Sequence, residues 1–169
     1  MKKCLALLLL VTQVGIVAAQ TNMTACSEAP VQALRFIDVA TASLWRNDCN
    51  NNDAMLSAPL QLEFTYHRKV PGNAFNRSAN AMFERNVSSA TFAALKARLH
   101  AFNSHYRDTV DGDHYQLRYL SDGTLELLFN NELLVREKGH DFAQAYLQIW
   151  FGPKPYSERL KQQLLAGQP

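Results

Sequence analysis

The segment DFAQAYLQIWFGPKP, Asp141 to Pro155, constrains this chain more than any other. It reads as a helix in which only Gln144 and Gln148 interrupt the apolar positions. Asp141 can cap it, and Gln144 lies three residues on to complete a capping box. Gly152 suits the left-handed residue that follows a helix, and Pro153 forbids continuation. A helix apolar on nearly every side must be covered on nearly every side. The segment therefore predicts a layered structure, with this helix against a sheet and other helices around it.

The rest of the chain supplies those layers. Val31 to Trp45 is apolar and β-branched enough for one long strand or a hairpin, and the polar run NDCNNND ends it. Leu60, Leu62, Phe64 and Tyr66 alternate with Gln61, Glu63, Thr65 and His67, a strand with one dry face, and Pro71-Gly72 breaks it. Phe75, Ala79, Met82 and Phe83 form one helical stripe, and Phe92, Leu95, Leu99 and Phe102 form a second after Ser88 and Ser89, either of which can cap. The turn Asp111-Gly112-Asp113 opens a strand with Tyr115, Leu117 and Tyr119 on one side. Asp122-Gly123 and Asn130-Asn131 are hairpin signals, so strands at about 114–120, 124–129 and 132–137 form an antiparallel meander. Ser157 starts a last helix carrying Leu160, Leu164 and Leu165. Clustered antiparallel strands with separate helices argue an α+β fold, an antiparallel sheet with helices layered on one face.

Lys2 and Lys3, the apolar run Leu5 to Val17 and the small residues Val17-Ala18-Ala19 make residues 1–19 a secretory signal peptide. The run is too short for a comfortable membrane span, so a single anchor helix is the weaker alternative. Cleavage after Ala19 leaves a 150-residue domain, 20–169, and removes two lysines. The remaining 15 basic and 15 acidic residues balance, which leaves no overall field for nucleic acid or an anionic surface. A periplasmic or secreted location follows. Cys26 and Cys49 remain, and an oxidising compartment suggests that they bridge. The alternative is lipidation of Cys26, against which Gln20, Thr21 and Asn22 separate it from the apolar run. Three Asn-x-Ser/Thr sites, at Asn22, Asn76 and Asn86, matter only in a eukaryotic pathway, and the short dibasic start looks bacterial.

The residues show little chemistry. His100 and His105 are five apart on a helix and so lie on different faces. His67 falls on the wet side of a strand, and His140 precedes a helix. The run HYRDTVDGDH, His105 to His114, lacks the full calcium-loop spacing and its final glutamate. No metal is expected. No Gly-x-Ser-x-Gly elbow is present, bridged cysteines exclude a thiol nucleophile, and the glycines are too scattered for a phosphate loop. No cofactor is implied.

Three stretches, DVATASLW (38–45), LQLEFTYHRKV with the helix after it (60–85) and DFAQAYLQIWFGPKPYSERLKQQLLAG (141–167), resemble the bacterial chalcone isomerase-like proteins, and the hairpin region DGDHYQLRYLSDGTLELLFNNELL fits the same family. The resemblance implies the chalcone isomerase fold, an open-faced β-sandwich whose ligand cleft lies between sheet and helices. The penultimate helix then walls that cleft. Plant chalcone isomerases close a flavanone ring with an arginine, a tyrosine, an asparagine and two threonines. The tyrosine and asparagine positions fall on Phe75 and Met82, the late threonine on Ile149 and the early one near Ala40 or Thr41; the arginine has no clear counterpart. A developing enolate needs placed donors, and losing one typically costs a few kcal/mol of barrier. Phe, Met and Ile donate nothing.

The resemblance therefore implies a non-catalytic member whose cleft holds a small apolar or amphipathic ligand, such as a fatty acid. Fatty-acid-binding relatives anchor a carboxylate with Arg and Tyr, and Arg35 and Tyr66 are candidates by residue type. Phe75, Met82 and Ile149 would line that cleft. Two alternatives stay open. In one, those three residues instead fill it, leaving a periplasmic interaction protein that works through its surface. Or the chain is an isomerase or lyase with another catalytic set, for which Glu63, His67 and Arg68 are the nearest polar groups.

Overall fold

A computed structural model describes residues 23–33, 36–50 and 56–166. The expected signal peptide at 1–19 and Arg35 lie outside these residues. The elements run β1 (Thr24–Ala33), β2 (Ile37–Arg46), β3 (Leu60–Tyr66), α1 (Gly72–Asn86), α2 (Ser89–Asn103), β4 (His114–Tyr119), β5 (Leu125–Phe129), β6 (Glu132–Glu137), α3 (His140–Phe151) and α4 (Glu158–Leu165). The six strands form one sheet in chain order, every neighbour antiparallel. The region from Val31 to Trp45 is a hairpin, and its first strand starts earlier than the apolar pattern suggests, at Thr24.

Alternation decides which face of the sheet is dry. In β3, Leu60, Leu62, Phe64 and Tyr66 are buried while Gln61, Glu63 and Thr65 are half-buried. Their partners on the same face are Ala40, Ala42 and Leu44 of β2 and Tyr115, Leu117 and Tyr119 of β4, all buried. Asn130 and Asn131 take positive φ of 49° and 67°, the conformation a two-residue hairpin with right-handed twist demands. Ser88 and Ser157 cap α2 and α4, accepting from Thr91 N and Leu160 N at 3.1 and 3.2 Å.

The greasy helix α3 lies where its composition requires. Phe142, Ala143, Ala145, Tyr146, Leu147, Ile149 and Phe151 are all buried. Phe83 of α1 and Phe102 of α2 pack on Phe142 and Tyr146, and Trp150 meets Phe64 of the sheet.

Both ends of α3 differ from the expected caps. The helix begins two residues earlier than an Asp141 cap would set it, at His140, with Gly139 as N-cap at φ 112° and no side-chain cap. Asp141 instead takes an ion pair with Arg98 at 2.9 Å, and the same guanidinium holds Glu137 at 2.8 Å. A tie to α2 has replaced the capping box. Gly152 is extended, at φ −72°, not left-handed. It is needed for close approach: a Cβ there would stand 2.5 Å from Asn86 Oδ1 and 2.6 Å from the Gln148 carbonyl. Asn86, in turn, donates to the Met82 and Lys154 carbonyls at 2.8 and 2.7 Å and accepts from Lys154 N at 2.8 Å, which locks the end of α1 to the chain leaving α3.

A cavity between sheet and helices

The cleft is not filled. A cavity of about 290 Å³ lies between the dry face of the sheet and helices α1 and α3. Phe64, Tyr66, Tyr115 and Leu117 form its floor, Phe75 and Ala79 one wall, and Ile149 and Trp150 the other. Small side chains keep it open: Ala33, Ala74, Ser78 and Ala79 all border it. Val39 reaches it through a β-bulge, because the β1–β2 register passes from Val31↔Ala40 to Gln32↔Asp38 and leaves Val39 unpaired with β1.

Three of the ligand candidates, Tyr66, Phe75 and Ile149, border this space. Met82 does not; it is half-buried against the core two turns beyond Phe75. Arg35 falls outside the described residues, two positions after the cavity-lining Ala33. Ala40 is buried in the core, and Thr41 points to the outer face, where its hydroxyl meets His67 Nε2 at 2.8 Å. Glu63 is on that outer face as well, accepting from Gln61 and Gln116 at 3.2 and 2.8 Å. Arg68 is exposed. The polar set considered for an alternative enzyme thus lies away from the cavity.

Sequence reasoning missed two of the cavity's tyrosines. Tyr106 and Tyr156 sit in loops where no periodicity flags them, yet both border the cavity with Tyr66 and Tyr115. Tyr66, Phe75, Tyr106 and Tyr115 pack on one another with centroids 5.1–6.2 Å apart. Burial pushes the Tyr66 and Tyr146 phenols well above their ordinary range, with neighbouring phenols adding to the effect. Tyr115 rises to about 12, again through burial and despite its hydrogen bonds to Arg107. All of these hydroxyls are neutral near pH 7. Chemically the cavity is an apolar, largely aromatic chamber with uncharged hydroxyls on its wall.

Cys26 and Cys49 are joined, with Cα atoms 5.2 Å apart. No helix among the described residues is long and apolar enough to cross a membrane.

A single antiparallel sheet with helices on one face and a chamber between the layers is the open-faced β-sandwich that the resemblance implied. A family model described as chalcone isomerase-like matches residues 29–166. The chain belongs to the chalcone isomerase-like family. The crystal structure of a fatty-acid binding protein from Arabidopsis thaliana superposes with a TM-score of 0.54, covering 83% of each chain at 15% sequence identity. At that identity the likeness speaks for the fold alone. No curated protein sequence matches significantly.

Proposed function

We propose that this protein is exported and holds one small apolar or amphipathic molecule, such as a fatty acid, in the cavity between its sheet and helices, with no isomerase chemistry of its own. The carrying observation is the chamber itself. Its volume of about 290 Å³ sits at the lower end of small-molecule sites, roughly 300–1,000 Å³. Its lining is aliphatic and aromatic with a few hydroxyls, the composition expected where burial supplies affinity and a few polar groups set orientation. The Arabidopsis structure, described as that of a fatty-acid binding protein, supports a ligand of this class. The dibasic and apolar N-terminal run and the Cys26–Cys49 bridge support export to an oxidising periplasmic or secreted location.

Native mass spectrometry of protein recovered from outside the cytoplasm of expressing cells tests both parts. The expected spectrum shows a chain beginning at Gln20 and carrying a single small adduct, which delipidation removes and one equivalent of decanoic acid or its methyl ester restores. An intact N-terminus with protein confined to the cytoplasm would overturn export. A delipidated chain that takes up neither probe would overturn ligand binding.

Chalcone isomerisation is expected to proceed no faster than the uncatalysed reaction, because Phe75 and Ile149 stand at the cavity where the enzymes place donors. Loss of chalcone absorbance, followed with and without protein, checks this. Turnover above background would show that other groups have taken over.

A further inference from the structure

Hydrogen-bond directions around the cavity can be traced from one backbone carbonyl, which can only accept. Asn76 Nδ2 donates to the Asn103 carbonyl at 3.1 Å. Asn76 Oδ1 accepts from Asn80 Nδ2 at 2.7 Å, and Asn80 Oδ1 from Asn103 Nδ2 at 2.9 Å. Asn103 Oδ1 then accepts the Tyr146 hydroxyl at 2.7 Å. With that proton committed, the Tyr146 oxygen is the acceptor in its 2.9 Å contact with Tyr106, so the Tyr106 proton is committed too. Tyr115 donates to the Arg107 carbonyl at 2.9 Å and accepts Arg107 N–H at 2.6 Å. Tyr156 donates to the Gln32 carbonyl at 3.3 Å.

Tyr66 is what remains. It borders the cavity at 8% exposure, and its hydroxyl has no hydrogen-bond partner among the described residues. The half-buried Ser78 hydroxyl, on α1, is the other uncommitted hydroxyl, and the indole N–H of half-buried Trp150, on α3, is a further donor. No Asp, Glu, His, Lys or Arg is among the described residues bordering the cavity. The titratable groups packed toward Tyr66 from its neighbours are the phenols Tyr106, Tyr115, Tyr146 and Tyr156. Of the charged side chains in the adjoining loop, Arg107 is taken by Glu132 and Asp108 by Gly72 N–H. His67 is bonded to Thr41 on the outer face.

We propose that the cavity selects a ligand whose polar end is an uncharged carbonyl (an ester, a ketone or an undissociated carboxylic acid), held by the O–H of Tyr66, over a carboxylate anion. This deepens the binding reading above and rests on it. A carbonyl oxygen needs one donor, and Tyr66 supplies one that no protein group already uses. A carboxylate would lose its water to a chamber whose described lining offers only neutral donors, the hydroxyls and the Trp150 indole N–H, and no cation, so its desolvation goes largely uncompensated. A fatty acid therefore enters as the protonated acid. Its apparent affinity is fully present below the free carboxyl pKa, about 4–5, and falls up to tenfold per pH unit above it, whereas an ester's affinity stays flat.

Isothermal titration of the delipidated protein with decanoic acid, methyl decanoate and decane, at pH 5 and pH 8 with the fold checked by circular dichroism, tests this. The ester should bind equally at both pH values, and the acid at least about tenfold more tightly at pH 5. Tyr66→Phe should weaken the ester about five- to tenfold while leaving decane unchanged, which separates a lost hydrogen bond from a damaged cavity. Acid binding that is equally tight at pH 8 and exceeds the ester would overturn the proposal, and its loss in Arg35→Ala would identify a carboxylate anchor in its place. Failure of acid, ester and decane alike would overturn the binding reading itself.

Discussion

Replacing Phe142 by alanine is expected to lower unfolding stability by about 3–5 kcal/mol, the upper range for emptying a core site of an aromatic ring. Phe142 is fully buried on α3. Its ring meets Phe83, Phe102 and Tyr146 at centroid distances of 6.4, 5.4 and 5.6 Å, and the Arg98 guanidinium caps it at 5.1 Å. Three helices thus lose a common packing partner, and the neighbours cannot collapse inward because Phe83, Phe102 and Tyr146 are themselves fixed in the core. The denaturant midpoint should fall sharply with little change in slope. A loss under about 1 kcal/mol would mean that α3 is not held as described.

Removing the disulfide comes next. The Cys26→Ala, Cys49→Ala double variant should lose about 3 kcal/mol, since the bridge closes a loop of sequence separation 23 that the unfolded chain would otherwise leave free. For a domain of this size that corresponds to a melting temperature lower by about 6–12 °C. Alanine is chosen because Cys26 is buried and a serine hydroxyl would add its own desolvation cost. The bridge ties β1, an edge strand, to the chain just beyond β2, so the loss should also loosen the strand that brings Val31 and Ala33 to the cavity. Calorimetry with and without reductant checks the effect on the native chain. An unchanged transition would show that the two cysteines are not joined.

Much of the architecture was legible because its signals are local. Alternation in Leu60–Tyr66 gave β3, the Asn130-Asn131 pair gave the last hairpin, and Ser88 and Ser157 gave two caps, each a matter of a few neighbouring residues. The cavity was partly legible. Tyr66, Phe75 and Ile149 were reachable through the family resemblance and do border it, whereas Met82, two turns further along α1 than Phe75, does not. Helical periodicity assigns a face but not the depth at which the opposing layer ends. The Asp141 cap and Gly152 were misread for a related reason: they answer to Arg98 and Asn86, which lie far away in the chain.

By itself the sequence determined an α+β layering and the burial of the segment from Asp141, since no other arrangement hides a helix with so few polar positions. It also determined the dry face of the sheet, through strict alternation. Only the tertiary structure decided that the chamber is open, and which of its hydroxyls are spoken for. The size of a void depends on how small side chains of β1 and α1 meet the rings of β3, β4 and α3. The direction of a hydrogen-bond chain from Asn103 to Tyr106 depends on partners that come together only when the helices pack.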